Sequence, residues 1–397
     1  MRLKTIASCA AFAWSPEKLG SPPLLALASF SGAMDDDFSN EPYMTFYVCD
    51  VTRTDETELR PVGRVRLPDR ACRIDWSLHM GAQGIVAVAC NNGTVAVYAV
   101  AAVLAAKGGD AGPQALLWSL QAHQGAAHGC QFNVMQPNFL ATGGDDGKWF
   151  VWSIPAKAQD QPQRVAAIAN SAQATAITDI QWHPKYHHIV ATATAGGVVC
   201  TWNLKTLSLA MKINVGKGAA AGAATCLAWH PTAATTIAVG VDDANPVVQI
   251  WDLKRVLSPE RELKGHERAV TGLSWSARDT SLLASCGADG HTMWWDPATG
   301  KRLGELEAEA HGVVAVQWCP ALSGVLATAS LEPRFCVSTA EDMRSAPGGE
   351  RAGAAPRWMQ ERPCGASVNA ALTVASLAPG TADQLQLTSL APRRPAC

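Results

Sequence analysis

The feature that most constrains this chain is an aromatic side chain that returns at nearly fixed intervals. A first set closes short apolar phrases: Trp14 in AFAWSP, Trp76 in IDWSL, Phe132 in CQFNV, Trp182 in IQWHP, Trp229 in LAWHP, Trp275 in LSWSA and Trp318 in VQWCP. A second set follows about twenty residues behind each: Tyr47, Tyr98, Trp152, Trp202, Trp251, Trp295 and, more weakly, Phe335 to Val337. From Phe132 onward the first set is spaced 43 to 50 residues apart. A period of that length marks copies of one supersecondary unit, each unable to bury its faces alone.

Within each unit the order of phrases is constant. An apolar strand ends at the first aromatic, then come a turn, a strand such as FLATGG or SLLASCG, a tight turn, and a third strand closing on the second aromatic. The tight turns read NNGT (91–94), DDGK (145–148) and ADGH (288–291), with the positive-φ residues that two-residue hairpins demand. Small antiparallel sheets with two apolar faces are stable when stacked around an axis, which also leaves only short edges. The period lies in the WD-repeat range. The expected fold class is therefore all-β, a seven-bladed WD-repeat β-propeller over residues 1–339. The seventh unit lacks an outer strand, and Leu3 to Ile6, ahead of the first aromatic phrase, is expected to supply it and close the ring.

Composition agrees with a folded core: of 397 residues, 48% are hydrophobic and only 17% charged. A net charge of −2 offers no broad attraction for nucleic acid or anionic lipid, which leaves protein partners as the favoured class. Twelve cysteines are scattered without a C-x-x-C pair, and several, such as Cys90, Cys200 and Cys226, lie in apolar strand phrases. Buried free thiols in a reducing compartment account for them and point to the cytosol. The opening MRLKTIASCAAFAW has the charge and apolar run of a secretory leader, but cleavage there would remove part of the first unit. PPLLALASF is too short to cross a bilayer.

Other segments interrupt the pattern. SGAMDDDFSNEPY lengthens the first unit, so that Trp14 and Tyr47 lie 33 residues apart. Ala101 to Pro113, rich in alanine and glycine, reads as an exposed, mobile loop. Residues 340–355 have the composition of a linker. Beyond it, Ala366 to Leu377 and Gln384 to Leu390 read as two or three short strands, too few to fold without something to pair with.

The search for catalytic chemistry ends without a constellation. GGDDGKW (143–149) has glycines too close for a phosphate loop and no Ser or Thr after Lys148, so it reads as a hairpin turn. GKGAAAG (216–222) misses the dinucleotide spacing and reads as a loop between blades. His183, His187 and His188 crowd into WHPKYHH without a carboxylate or thiol at ligand spacing, which favours a polar turn over zinc. His128 and Cys130 share a strand face, but nothing orients the imidazole or forms an oxyanion hole. No metal and no cofactor are expected. His123, His266 and His311 precede successive units, where a WD-repeat histidine hydrogen-bonds through a Ser or Thr to the closing Trp, as His266 would with Trp295. The structural blade residues are thus Trp14, Trp152, Trp182, Trp202, Trp229, Trp251, His266, Trp275, Trp295 and Trp318.

Several phrases go beyond a generic repeat. MRLK followed by AWSP, MDDDFSN (34–40), NPVVQIWDLK (245–254), LLASCGADG with WWDPATGKRLGEL (282–306) and VQWCP (316–320) resemble, in order and spacing, the N-terminal part of the large outer-layer subunits of the COPII vesicle coat. APRWMQERPCGAS (355–367) resembles the signature with which that family begins a blade donated to a small partner, itself an open propeller one blade short. The resemblance implies a C-terminal segment, 356–397, of short blade-donating strands, with Pro356, Arg357, Trp358, Arg362, Pro363, Gly365, Ala366 and Ser367 as partner-binding residues. Trp358 would be the anchor and Pro363 to Ser367 the lead into the first donated strand. Past Ser367 the chain reads SVNAALTVASL where relatives carry Phe and a Gly-Gly turn, and it ends at Cys397, as a truncated product or a reduced paralogue would.

The function so implied is that of a non-catalytic scaffold of the COPII outer coat, acting at endoplasmic reticulum exit sites and on COPII vesicles. Its partners would be the small open propeller subunit and other copies of the propeller at cage vertices, with no nucleic acid and only peripheral membrane contact through the coat. The alternative is a generic WD-repeat adaptor of chromatin or ubiquitin-ligase type that binds a peptide on its top rim, with Asp35 to Asp37 contributing acidity. Rim binding would survive a cut at Gly349, whereas strand donation would not.

Overall fold

The structure is a computed structural model that describes residues 2–340, apart from 9, 20–21, 31–40, 53–57, 170–174, 217–221 and 332–333. Seven four-stranded antiparallel sheets follow one another around a ring. Their first strands are Ala10–Trp14, Ala71–Ser77, Ala127–Phe132, Ile177–Trp182, Ala224–Trp229, Val270–Trp275 and Val313–Trp318, and these pack on one another around the axis. Six of the first aromatics end the first strand of their blade and Trp76 stands one residue from that end, while every second aromatic lies on the third strand, in blade 7 at Arg334–Thr339. The all-β, seven-bladed expectation therefore holds.

Burial of both faces explains why the middle strands are almost wholly apolar. Ile85–Cys90 and Val325–Ser330 are buried at every position. On Val198–Asn203 the alternation is visible: Val199 packs with Leu227, Trp229 and Trp251 of blade 5, whereas Cys200 and Trp202 pack with Trp149 and Val151 of blade 3. Each inter-blade seam is thus a small core of its own, in which removal of one large side chain costs about 3–5 kcal/mol.

The ring closes as expected. Arg2–Ile6 pairs antiparallel with Arg334–Thr339, matching Thr5 to Cys336 and Ile6 to Phe335, and supplies the outer strand of blade 7. Leu3 and Ile6 pack on the seam between blades 7 and 1, and Arg2 forms an ion pair with Glu309 at 2.7 Å.

Two expectations need correction. The tight turns are not two-residue hairpins. In each, only the glycine has positive φ, at 81° for Gly93, 67° for Gly147 and 83° for Gly290. Gly93 and Gly147 donate to the residue three back, Cys90 O and Gly144 O, so a type I turn is followed by one left-handed residue. Side-chain carboxylates and amides fix the turn, as when Asp146 accepts the Lys148 N–H and Asn92 that of Thr94. Ala101 to Pro113 is exposed over most of its length, as expected, but it is more than a plain loop. It opens with a short helix, Val100–Leu104, whose Val103 is buried, and continues along the outer edge of blade 1. There Gly108 donates to Val62 O, Ala111 to Arg64 O, and the Arg64 N–H to Gly109 O, so the segment covers backbone groups that an outer strand would leave open. Gly63 makes the approach possible, since a Cβ there would stand 2.3 Å from Val103 O.

Candidate functional site

The inner strands present the most demanding physical problem, because each is a sheet edge facing the axis. Its unpaired amides and carbonyls are met by side chains of neighbouring blades. The indole N–H of Trp14 donates to Gln317 O at 3.3 Å, Trp182 to Gln131 O at 3.0 Å, Trp229 to Gln181 O at 3.4 Å and Trp275 to Ala228 O at 3.1 Å. Each acceptor is the residue just before the first aromatic of the preceding blade. Gln131 also accepts the Trp182 N–H through its side chain, and Gln317 that of Trp14. The sequence reading missed these glutamines, although CQF, IQW and VQW repeat the signal.

Charge enters the axis at blades 2 and 4. Asp179, buried, accepts from Ile180 N–H and, across the seam, from Leu227 N–H at 2.9 Å, while pairing with Arg73. Asp75 accepts the Phe132 N–H of blade 3 at 2.6 Å. Burial pushes the Asp75 carboxyl up to about 7, against the pull of the Phe132 and Trp76 N–H groups and the Arg73 charge. These groups line a channel of about 270 Å3.

The second aromatics close the blades through buried hydroxyls. In blade 6, Ser285 Oγ lies 2.8 Å from both His266 Nε2 and Trp295 Nε1, and His266 Nδ1 lies 2.9 Å from Asp289. In blade 3, Thr142 Oγ1 lies 3.0 Å from His123 Nε2 and 3.1 Å from Trp152 Nε1, with His123 Nδ1 3.1 Å from Asp146. A carboxylate only accepts, so each imidazole places a proton on the Nδ1 that faces it; with the His123 ring neutral, the Thr142 hydroxyl donates to Nε2 and accepts from the indole. Burial lowers the His123 pKa, in keeping with a neutral ring. Burial alone would raise the Asp289 carboxyl, but hydrogen bonds from His266 and from the Glu267 and His291 N–H groups hold it down at about 2. Blade 4 keeps only part of the network, Trp202 Nε1 on Thr192 Oγ1 at 3.0 Å. In blade 5, Trp251 donates to Gln249 instead, at 3.1 Å.

Other candidates are absorbed by structure. His183 Nδ1 accepts from Lys185 and Tyr186 N–H, and Nε2 lies 2.8 Å from Ala234 O of the next blade. His230 Nδ1 likewise accepts from Thr232 and Ala233 N–H. Both WHP histidines therefore cap turns, and no cluster of three metal-ligating side chains occurs among the described residues. His128 turns to Asp145 at 2.9 Å, and burial raises the Cys130 thiol well above its ordinary value. The thiols of Cys49, Cys90 and Cys226 are pushed up to about 12 by burial, which leaves no thiolate at neutral pH. The partner-binding positions from Pro356 to Ser367, the linker beyond 340 and the run Asp35 to Asp37 lie outside the described residues.

Residues 114–153 and 257–296 match the family model for the WD domain, G-beta repeat. These are the stretches that hold the complete networks of His123 with Trp152 and His266 with Trp295. Over 346 residues the chain is 32% identical to a protein transport protein SEC31 of Chaetomium globosum, covering 86% of this chain and 26% of that protein. SEC31 of Mycosarcoma maydis is 30% identical, covering 83% and 24%, and that of Aspergillus oryzae is 30% identical, covering 92% and 30%. The chain thus spans 24% to 30% of the length of these relatives. Among solved structures, a chain of "COPII on membranes, outer coat vertex" superposes with a TM-score of 0.72 at 23% identity, covering 83% of this chain and 84% of that one. Aromatic cadence, seven-bladed ring and SEC31 relatives that align over more than four-fifths of the sequence agree, and the chain belongs to the SEC31 protein transport family, whose WD-repeat propeller it forms.

Proposed function

We propose that this chain is a non-catalytic scaffold of the COPII outer coat, acting in vesicle budding from the endoplasmic reticulum. Its ring contacts other copies of the propeller at cage vertices, and its C-terminal strands complete the small open propeller subunit. It works in the cytoplasm, peripheral to membranes at exit sites and on vesicles, and touches the bilayer only through the coat. Trp358 anchors the partner, and Pro363 to Ser367 lead into the donated strand.

The observation that carries this reading is the closure at blade 7. Every sheet of the ring has four strands, and Arg2–Ile6 fills the one position that the seventh unit leaves open. The ring therefore offers the C-terminal strands no vacancy, while the exposed edge of an incomplete propeller supplies the amides and carbonyls they need. Kinship with SEC31 proteins supports the same assignment. The scaffold role is further supported by the fate of the polar side chains, since His123, His266, Asp179 and Asp75 are all committed to holding blades together.

The test is co-purification of the tagged chain with the small subunit. The double variant Trp358→Ala, Pro363→Ala should lose most of the partner while the ring melts as before. Undiminished recovery, or equal recovery after a cut at Gly349, removes the tail from the mechanism.

A further inference from the structure

Antiparallel order places the turns after the first and third strands of every blade on one face of the ring. In blades 4 and 5 these turns are residues 183–188, 204–207, 230–235 and 253–260, and hydrogen bonds hold them together. Leu204 N–H donates to His188 O and Leu253 N–H to Thr235 O, both at 2.8 Å, and the Lys185 ammonium reaches Thr232 O of the next blade at 2.5 Å. Four exposed cations stand on this surface: Lys185, Lys205, Lys254 and Arg255.

Elsewhere several of the ring's cations meet carboxylates, although others, such as Lys18, Lys148 and Lys301, are exposed and form no ion pair with a described residue. Arg2 and Arg334 share Glu309, Arg64 meets Asp110, Arg66 meets Glu41, Arg278 meets Glu17 and Arg302 meets Glu305. None of the four cations on blades 4 and 5 forms an ion pair with a described residue. Between them project Tyr186, Leu207 and Leu257, which are 49%, 61% and 93% exposed. The same face carries Asp252, whose carboxylate accepts the Lys254 backbone N–H at 3.0 Å and feels the Lys254 and Arg255 charges, and the exposed Glu260. On a chain of net charge −2, cations and apolar side chains are thus concentrated together.

We infer that this face of blades 4 and 5 docks an acidic segment of a partner protein, one with aliphatic or aromatic side chains among its carboxylates. Unpaired cations around exposed leucines provide both terms such a peptide needs, charge complementarity and apolar area to bury. An anionic bilayer fits less well. Four basic side chains contribute about 1 kcal/mol each at such a surface, and firm anchoring takes a second signal. A planar array of phosphates would also face Asp252 and Glu260, which a peptide can avoid. The inference concerns the ring alone, so it stands or falls separately from strand donation by the tail.

The experiment uses the full chain and a fluorescein-labelled peptide, Glu-Asp-Leu-Glu-Tyr-Asp-Glu-Leu, followed by anisotropy at low salt. Binding should weaken about tenfold when NaCl is raised severalfold, as screening of exposed charges requires. A variant carrying Lys185→Glu, Lys205→Glu, Lys254→Glu and Arg255→Glu should lose at least about tenfold in affinity. The corresponding glutamine variant should fall between it and the wild type. Leu207→Ser with Leu257→Ser should weaken binding with the salt dependence unchanged. The inference is overturned if the charge-reversed variant, folded by its melting temperature, binds within about twofold of wild type. It is equally overturned if a peptide with every carboxylate replaced by its amide binds as well, or if phosphatidylserine vesicles capture the chain and the peptide does not.

Discussion

Replacing Thr142 by valine keeps the volume of a side chain that is fully buried and removes only its hydroxyl. That oxygen serves two partners, the indole of Trp152 and the imidazole of His123. The substitution leaves a buried N–H and a buried ring nitrogen without partners, each costing about 1–3 kcal/mol. A loss of about 3 kcal/mol follows, which at roughly 2 °C per kcal/mol lowers the melting temperature by about 6 °C. Blade 4 supplies an internal control. Thr192 is equally buried but serves only Trp202, so Thr192→Val should cost about half as much. Thr142→Ser, which keeps the oxygen and loses one methyl, should cost about 1 kcal/mol. Urea unfolding at neutral pH, with the dependence on denaturant unchanged, reads all three. Equal losses for the two valine variants, or a serine variant as damaged as Thr142→Val, would refute the view that the hydroxyl relay closes blade 3.

Deleting residues 1–8 removes the outer strand of blade 7 and should lower the melting temperature markedly; an unchanged value would show that Arg2–Ile6 does not close the ring. Asp75 sets a pH dependence of definite sign. Its folded value of about 7 lies above the ordinary carboxyl value, so the folded state holds the proton more tightly. The contribution is complete at acid pH and disappears as pH rises through about 7. Asp75→Asn should flatten the decline in stability between about pH 4 and 8, and an unaltered profile in that variant contradicts the assignment. Asp289 acts in the opposite sense: held at about 2, it stabilises the ring above the ordinary carboxyl range and ceases to do so as pH falls toward that value. Acid titration of Asp289→Asn by circular dichroism should therefore show a shallower acid limb than the wild type.

The ring was legible in the sequence because the residues that make it are repeated. Trp152, Trp202, Trp251 and Trp295 each occupy the third strand of a blade, and a pattern copied several times outweighs the weak Phe335 at the end. What escaped depends on which blade stands beside which. Ala101 to Pro113 has the composition of a loop, and only its position against Val62, Gly63 and Arg64 of the preceding blade gives its backbone a ladder to join. A glutamine before an aromatic, as in IQW, reads as an outward-facing strand residue until closure makes the axis its environment. The turns were misread for a local reason: Asn-Gly and Asp-Gly signal a hairpin, but the pair alone does not reveal whether one or two residues adopt positive φ. The cations of blades 4 and 5 were invisible as a group because Lys185, Lys205 and Lys254 are about twenty to fifty residues apart in sequence.

The two stretches that match the WD model show how the chain divides its labour. Each begins just ahead of an outer strand, 114–153 before Leu116–Gln121 of blade 2 and 257–296 before Arg261–Lys264 of blade 5, and then runs through that strand and three strands of the following blade. The sequence repeat is therefore offset from the blade by one strand. That offset obliges the first strand of the chain to complete the last blade, as Arg2–Ile6 does. It also makes every covalent unit straddle a seam, so that no blade can separate without parting a repeat. The histidine network strengthens blades 3 and 6, while at four of the seams an indole donates across to the inner strand of the neighbouring blade. A ring held in this way meets much of its inner edge with its own side chains.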